Sequence, residues 1–397
     1  MSWLSALLPP TEERFARWLM RALEARGQGP YSHDPAERVL RSSDGKVIFL
    51  DNLFAEFVHT SRWNRPGAIR SIASGFELSG VEEPTLEEAL PNLVPRVRDR
   101  LFVELLPTFA PGIDVPWSPL TDHFALSLAI DMPEAVRDVT QSDLDRWGKT
   151  FDELLPVAKH RLAQASDPLR FVEVARGVLR SAWNDVYDAS RVAVPGLFRS
   201  LGVRGKPVVT MPNRNSLLVA GSDDPEALLA LIALTGDVLE REPRPQTGRP
   251  LILDGLEWVP FEPTEPRVSA AVERRTAIDR ARDQAEQKAA LEAAFAKTGR
   301  DCFVATATLV QKDDGRLESY CVWVEGVDDA LLPHTDVVVF GMGGDKPESF
   351  FRVPFEVVLE LLPHRMTAQG SYPERWHTTT FPSDEELATL RARALPD

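Results

Sequence analysis

Tyr187-Asp188-Ala189-Ser190-Arg191 gathers a phenol, a carboxylate, a hydroxyl and a guanidinium within five positions. The apolar run behind it puts the group at a predicted helix start, where free backbone N–H groups take up either an anion or a capping side chain. In one reading, Tyr187, Ser190 and Arg191 frame a small anionic ligand or a peptide carboxylate. In the other, Asp188 is the N-cap and Arg191 pairs with it across the first turn. Caps are common and ligand sites are rare, which favours the second. Asn213-Arg214-Asn215 reads as a hairpin tip, a turn first and a contact site second, and adds Asn213 and Arg214 to the candidate set.

Other chemistries find less support. There is no GxSxG. Ser43 and Lys46 make a Ser-x-x-Lys, but Asp44-Gly45 turns it into a bend before a strand rather than a helix start. Gly341-Met-Gly-Gly-Asp-Lys lacks the phosphate-loop pattern and reads as a plain loop. The seven histidines contain no i, i+4 pair and no HExxH, so the spacing predicts no metal site, and nothing in the sequence calls for a cofactor. Cys302 and Cys321 are in no CxxC spacing; both fall in predicted strands of one hairpin and read as reduced, buried thiols.

The charge balance narrows the partners. With 45 basic and 60 acidic residues the net charge is −15, which repels phosphate backbones and argues against nucleic acid. Residues 267–300 carry eight basic and five acidic side chains, +3, while residues 301–397 carry eight and seventeen, −9. Met1–Pro10 has no basic n-region and does not read as a signal peptide. Apolar runs such as Ala227–Leu234 are far shorter than the roughly 20 residues of a membrane span. A cytoplasmic protein is the expectation, and arginine-over-lysine usage suggests a GC-rich bacterial genome.

The elements that must position these residues read as α+β. Thr11–Arg26 is a predicted amphipathic helix, Pro84–Arg100 another broken by Pro91 and Pro95, and Phe124–Asp131 a strand. Thr150 and Glu153 form a capping box for a helix to about Ala165. From Arg180 to Pro260 the order is strand, helix Ala189–Leu201, strand Pro207–Met211, strand Ser216–Ala220, helix Pro225–Glu240 and a final strand. That is the split-βαβ, ferredoxin-like order. Val268–Thr298, without Gly or Pro, is a predicted connector helix with a thin alanine stripe. Domains are thus expected at 1–118 (helical and α/β), 119–266 (central α+β), 267–300 (connector helix) and 301–397 (a smaller α+β module docked through a modest polar interface).

Leu120-Thr-Asp-His-Phe-Ala-Leu-Ser-Leu-Ala-Ile-Asp, Asp143-Leu-Asp-Arg-Trp-Gly-Lys-Thr-Phe-Asp-Glu-Leu, Tyr187-Asp-Ala-Ser-Arg and Met211-Pro-Asn-Arg-Asn-Ser-Leu-Leu-Val-Ala together give a resemblance. Over roughly residues 11–260 the chain resembles the YtpQ-like family of uncharacterised bacterial proteins. The resemblance implies a fold and a bacterial source and carries no catalytic residue. The connector helix and C-terminal module depart from the pattern.

With no catalytic motif, the sequence favours a non-catalytic protein- or ligand-binding or adaptor protein, its partner a protein or a small anionic ligand. The rival is a hydrolase or transferase whose site lies between the central domain and the tail. A third reading is a conflict or immunity protein whose acidic charge meets a basic partner.

Overall fold

The computed structural model describes residues 11–43, 47–60, 64–74, 76, 83–109, 112–132, 136–343 and 350–396. The N-terminal ten residues, most of the Ser43–Lys46 turn and the end of the Gly341–Lys346 loop lie outside them. The architecture is mixed α+β with five separate sheets among the described residues. No helix among them is long and apolar enough to cross a membrane.

Helix Glu12–Glu24 forms as its amphipathic pattern predicts, with Phe15, Leu19 and Leu23 turned onto a three-stranded meander (Tyr31–Asp34, Val39–Ser42, Val47–Phe49) and onto helices Asp51–His59 and Arg65–Ser74. Thr11 makes no side-chain cap.

The helix expected over Pro84–Arg100 is mostly a strand. One capped turn at Leu86–Ala89 and a 3-10 turn at Leu90–Asn92 lead into strand Leu93–Asp99. Leu93, Pro95 and Val97 alternate inward, a period of two that the prolines enforce by breaking helix. Pro95 is tolerated because the strand is an edge, paired along one side with Phe124–Asp131 from Leu93↔Ile130 to Asp99↔Phe124. This pairing crosses the boundary expected at residue 118, so the strand belongs with the central body.

The six-stranded sheet is wholly antiparallel, in the order Glu257–Pro260, Leu251–Asp254, Pro207–Asn213, Ser216–Gly221, Val178–Ser181, Phe171–Ala175. The ferredoxin-like order is not reproduced. Val178–Ser181 pairs antiparallel with Ser216–Gly221 (Arg180↔Leu218), as the first and third strands of that order do, but the last strand, Leu251–Asp254, pairs with the second, Pro207–Asn213 (Val208↔Ile252), and not with the first. The expected helix Ala189–Leu201 is two 3-10 turns, Ala189–Ala193 and Pro195–Phe198. Pro195 explains this: in an α-helix its ring would strike the Arg191 carbonyl four residues back. Val192 and Phe198 still reach the core, beside Phe124, Met211 and Trp258. Helix Pro225–Arg241 covers the opposite face with Leu228 and Leu231, and Val268 and Val272 of the next helix join them.

That next helix, Pro266–Thr298, runs 33 residues from a Glu265 cap to Gly299 in the left-handed conformation. Past its first two turns its buried side chains are mostly polar: Asp279, Asp283, Gln284 and Gln287. The tail holds two four-stranded sheets around Trp323, Phe340, Phe355 and Leu390. Its hairpin pairs Thr308–Gln311 with Leu317–Val324. Cys302 is not part of it; Cys302 precedes Phe303–Val304 of the other sheet, so the two thiols belong to different sheets. The last helix, Asp384–Arg391, carries the expected Ser383–Glu386 capping box.

Candidate anion-binding cleft

The Tyr-Asp-Ala-Ser-Arg string is drawn inward. Tyr187 OH donates to Asp131 Oδ1 at 2.8 Å. Asp188 is fully buried and caps nothing; its Oδ1 accepts the Trp183 N–H at 3.3 Å, because the residue itself has turned into αR geometry and aims its carboxylate back along the chain. Arg191 has no exposed surface. Its fork donates to both oxygens of Asp185 (2.9 and 2.6 Å), its Nε to Ser166 Oγ at 3.0 Å, and its plane lies 4.0 Å from the Trp183 ring centre. Ser190 Oγ accepts the Val97 N–H at 3.1 Å, and Ala189 N–H donates to the Arg214 carbonyl at 3.1 Å. Asn213 donates to Glu242 at 2.8 Å and accepts Asn215 N–H at 2.9 Å, an Asx turn that fixes the hairpin tip. Five of the six candidate residues are therefore internal ties. Arg214 alone opens onto a cleft.

That cleft, about 290 Å³, is lined by five arginines: Arg96, Arg98, Arg214, Arg244 and Arg282. Arg96 and Arg98 share the outward face of strand Leu93–Asp99, two residues apart, and both donate to Asp138 at 2.8–3.0 Å. Arg214 comes from the hairpin tip, and Arg244 from the loop after helix Pro225–Arg241, where it holds a φ of 57°. These two bracket Glu56, at 2.9 Å from Arg214 and 2.5–3.2 Å from Arg244. Arg282 reaches across from the long helix toward Asp99 at 3.5 Å. Phe102 forms part of the rim, with the Arg98 guanidinium 4.7 Å over its ring. Gln246 is wedged at the base: its N–H donates to Pro212 O at 2.7 Å and its side-chain amide to Val97 O at 3.4 Å. Its Oε1 is buried without a donor.

Like charges are thus held together, and they feel it. Burial, then Arg96 and Arg244, push the Arg98 guanidinium down to about 10 against the pull of Asp138. Burial, then Arg244, Arg96 and Arg98, do the same to Arg214 against Glu56. Both remain cationic at neutral pH, and each of the five guanidinium groups has a carboxylate partner in Asp138, Glu56, Asp99 or Asp283. Asp99, beneath Arg282, is pushed up to about 7 by burial and by the charge of Asp283. The lining residues alone carry five cations against Asp99 and Glu286, and the balance is even once Asp138, Glu56 and Asp283, which these arginines hold, are counted.

A wider groove of about 620 Å³ lies between the long helix and the tail hairpin. Its three cations, Arg274, Lys312 and Arg316, face Glu273, Asp314, Glu318 and Asp336, a net of −1. It offers no comparable attraction for an anion.

Sequence reasoning missed four of the five arginines. The signal was Arg96-Val-Arg98, which marks one face only once the segment is a strand; read as helix, the two diverge. Arg244 and Arg282 come from elements distant in sequence. Of the metal-ligating side chains, Cys302, Asp329 and His377 meet in the tail with their ligand atoms within 4.8 Å of one another, a convergence that histidine spacing cannot reveal. The chain matches no protein-family model, no curated protein and no solved structure.

Proposed function

We propose that this is a binding protein for a small, multiply charged anion of the phosphate class, held in the arginine cleft. The observation that carries the reading is the five-arginine lining with the unpaired Gln246 Oε1 at its base. Guanidinium forks match phosphate oxygens two at a time. Arg96 and Arg98 each spend one end of the fork on Asp138, and Arg214 one end on Glu56, which leaves N–H groups for a ligand. A P–OH or hydroxyl group supplies the donor that Gln246 Oε1 lacks. The volume, at the low end of the ~300–1,000 Å³ typical of ligand pockets, suits a diphosphate-sized molecule and not a polymer strand.

Titration calorimetry with inorganic pyrophosphate tests this. One equivalent should bind, more weakly as salt rises, with Arg96→Ala/Arg98→Ala losing at least about tenfold in affinity. Absence of binding by the unaltered chain at low salt, or binding indifferent to the double substitution, would refute it.

The lining holds no serine, cysteine or histidine, so binding rather than covalent catalysis is the primary reading. One observation favours a hydrolase or transferase at the same place: Asp99, titrating near neutrality, has the poise of a general base. Release of orthophosphate from pyrophosphate, abolished in Asp99→Asn, would move the assignment there. Kinship with the YtpQ-like family and a bacterial cytoplasmic setting are part of the same proposal and rest on the sequence.

A further inference from the structure

We propose that Cys302, Asp329 and His377 form a zinc-class divalent metal site in the tail, with a fourth position open to water. The three residues lie in, or immediately before, three neighbouring strands of one sheet. Cys302 precedes Phe303–Val304, Asp329 precedes Ala330–Pro333, and His377 lies in Arg375–Thr378. The pairing fixes their meeting: Phe303↔Ala330 in parallel and Ala330↔Thr378 in antiparallel bring the strand ends side by side.

Their ligand atoms all lie within 4.8 Å of one another, and His377 Nε2 is 2.5 Å from Asp329 Oδ1. Zinc bonds run about 2.0–2.3 Å, which sets tetrahedral ligand atoms roughly 3.3–3.8 Å apart. Insertion of the ion therefore asks that the Asp329 carboxylate give way from the imidazole, and that the widest pair draw in, by roughly 1 Å each. The donor set is the mixed sulfur, nitrogen and oxygen that a borderline-soft ion prefers, and three protein ligands with one open position is the pattern of reactive rather than purely structural zinc.

Asp329 sits at φ 53°, an uncommon conformation for a residue with a side chain, and asparagine and aspartate bear it best. Binding of the ion replaces the thiol's proton: the S–H bond breaks, the sulfur lone pair goes to the ion, and the proton leaves to solvent. Arg300 also reaches the thiol while its guanidinium rests 4.6 Å over the Phe295 ring, and the ion takes its place at the sulfur.

The experiment uses the full chain, purified without a tag and stripped with chelator, then titrated with cobalt(II) and back-titrated with zinc. One equivalent of cobalt should give a thiolate-to-metal charge-transfer band that zinc abolishes, and zinc should raise the unfolding midpoint. Cys302→Ser should remove the band, and His377→Ala and Asp329→Asn should each weaken zinc binding by at least about tenfold. Cys321→Ser, in the other sheet, should leave the band intact. Circular dichroism of each variant separates lost binding from lost fold. No cobalt binding by the stripped chain, or a band that survives Cys302→Ser, overturns the site and leaves a hydrogen-bonded triad. Neither result touches the arginine cleft, whose test uses pyrophosphate alone.

Discussion

Ser190 Oγ accepts the N–H of Val97 at 3.1 Å across 93 positions of sequence, and Val97 stands between Arg96 and Arg98. On the same edge, the Val97 carbonyl accepts the Gln246 side chain. The unpaired side of the arginine strand is thereby held by two side chains rather than by another strand, and the spacing of the two guanidinium groups depends on it.

Ser190→Ala should cost about 1 kcal/mol, because the Val97 N–H is left buried without a partner. The same substitution should weaken pyrophosphate binding several-fold although Ser190 does not line the cleft. Urea melts and calorimetry on one preparation check both, and Ser190→Thr, which restores a hydroxyl, should recover most of the affinity. Equal affinities for the alanine variant and the unaltered chain would remove Ser190 from any positioning role.

The Arg191–Asp185 pair should behave asymmetrically. The arginine is wholly buried and the aspartate side chain is 37% exposed. Asp185→Asn strands a buried cation and should destabilise by about 3 kcal/mol, the range for breaking a buried pair from one side. Pyrophosphate affinity of the folded fraction should not change. Denaturant unfolding beside calorimetry distinguishes this from a ligand-binding Arg191, for which affinity would fall instead.

Asp99 sets a pH dependence of definite sign. Burial first, then Asp283, raise its folded value to about 7 from an ordinary value near 3.8. A carboxyl raised on folding favours the protonated fold, so its contribution is fully present below about pH 4 and is lost as pH climbs through about 7. Asp99→Asn should therefore stabilise the chain at about pH 8 and leave it unchanged at about pH 4. Between about pH 6 and about pH 8 pyrophosphate affinity of the unaltered chain should fall relative to that of Asp99→Asn, since the deprotonated carboxylate adds negative charge to the cleft while the ligand's own ionisation is common to both. Thermal melts and calorimetry across that range give both readings; a flat profile for each contradicts the assignment.

The tail is attached through polar groups, but buried ones. Arg249 donates to Asp283 at 2.6 Å with both side chains almost inaccessible, and Tyr372 OH meets both partners. Arg375, 1% exposed, donates to Gln287 and to the carbonyls of Gln284, Ala305 and Leu331. Buried pairs are screened far less than exposed ones, so salt at about 0.5 M should not loosen the tail. Arg375→Met, which removes every one of these donors at similar length, should cost several kcal/mol, of the order found when buried partners are orphaned. Melting of the unaltered chain in rising salt, and of the unaltered and substituted chains side by side at one salt concentration, tests the pair of expectations.

Local signals were the legible ones. Capping boxes at Thr150/Glu153 and Ser383/Glu386 marked real helix starts, and Gly299 ended the long helix as read. Strand Phe124–Asp131 showed in its apolar run. What failed depended on competition or distance. Pro95 and Pro195 each overrode a helical pattern, and the last strand settled beside Pro207–Asn213 where the ferredoxin-like order puts it beside the first strand. The Tyr187–Arg191 string stood out correctly as unusual, yet its polar groups serve the protein's interior. The cleft was invisible because its arginines converge from an edge strand, a hairpin tip, a loop and a helix, and no short window contains two of those sources.

Helix Pro266–Thr298 presents Arg282 to the cleft and, five residues on, Gln287 to Arg375 of the tail. Each residue of helix turns its successor by about 100° and advances it about 1.5 Å. One residue added or lost between these two would swing the whole tail-facing side out of register with the cleft-facing side, and no adjustment at either end could restore both. Seven residues would come back to within about 20° but about 10 Å away. This stretch of the chain is consequently closed to insertion and deletion of any length, a constraint on how descendants of the gene can vary that no single contact would impose.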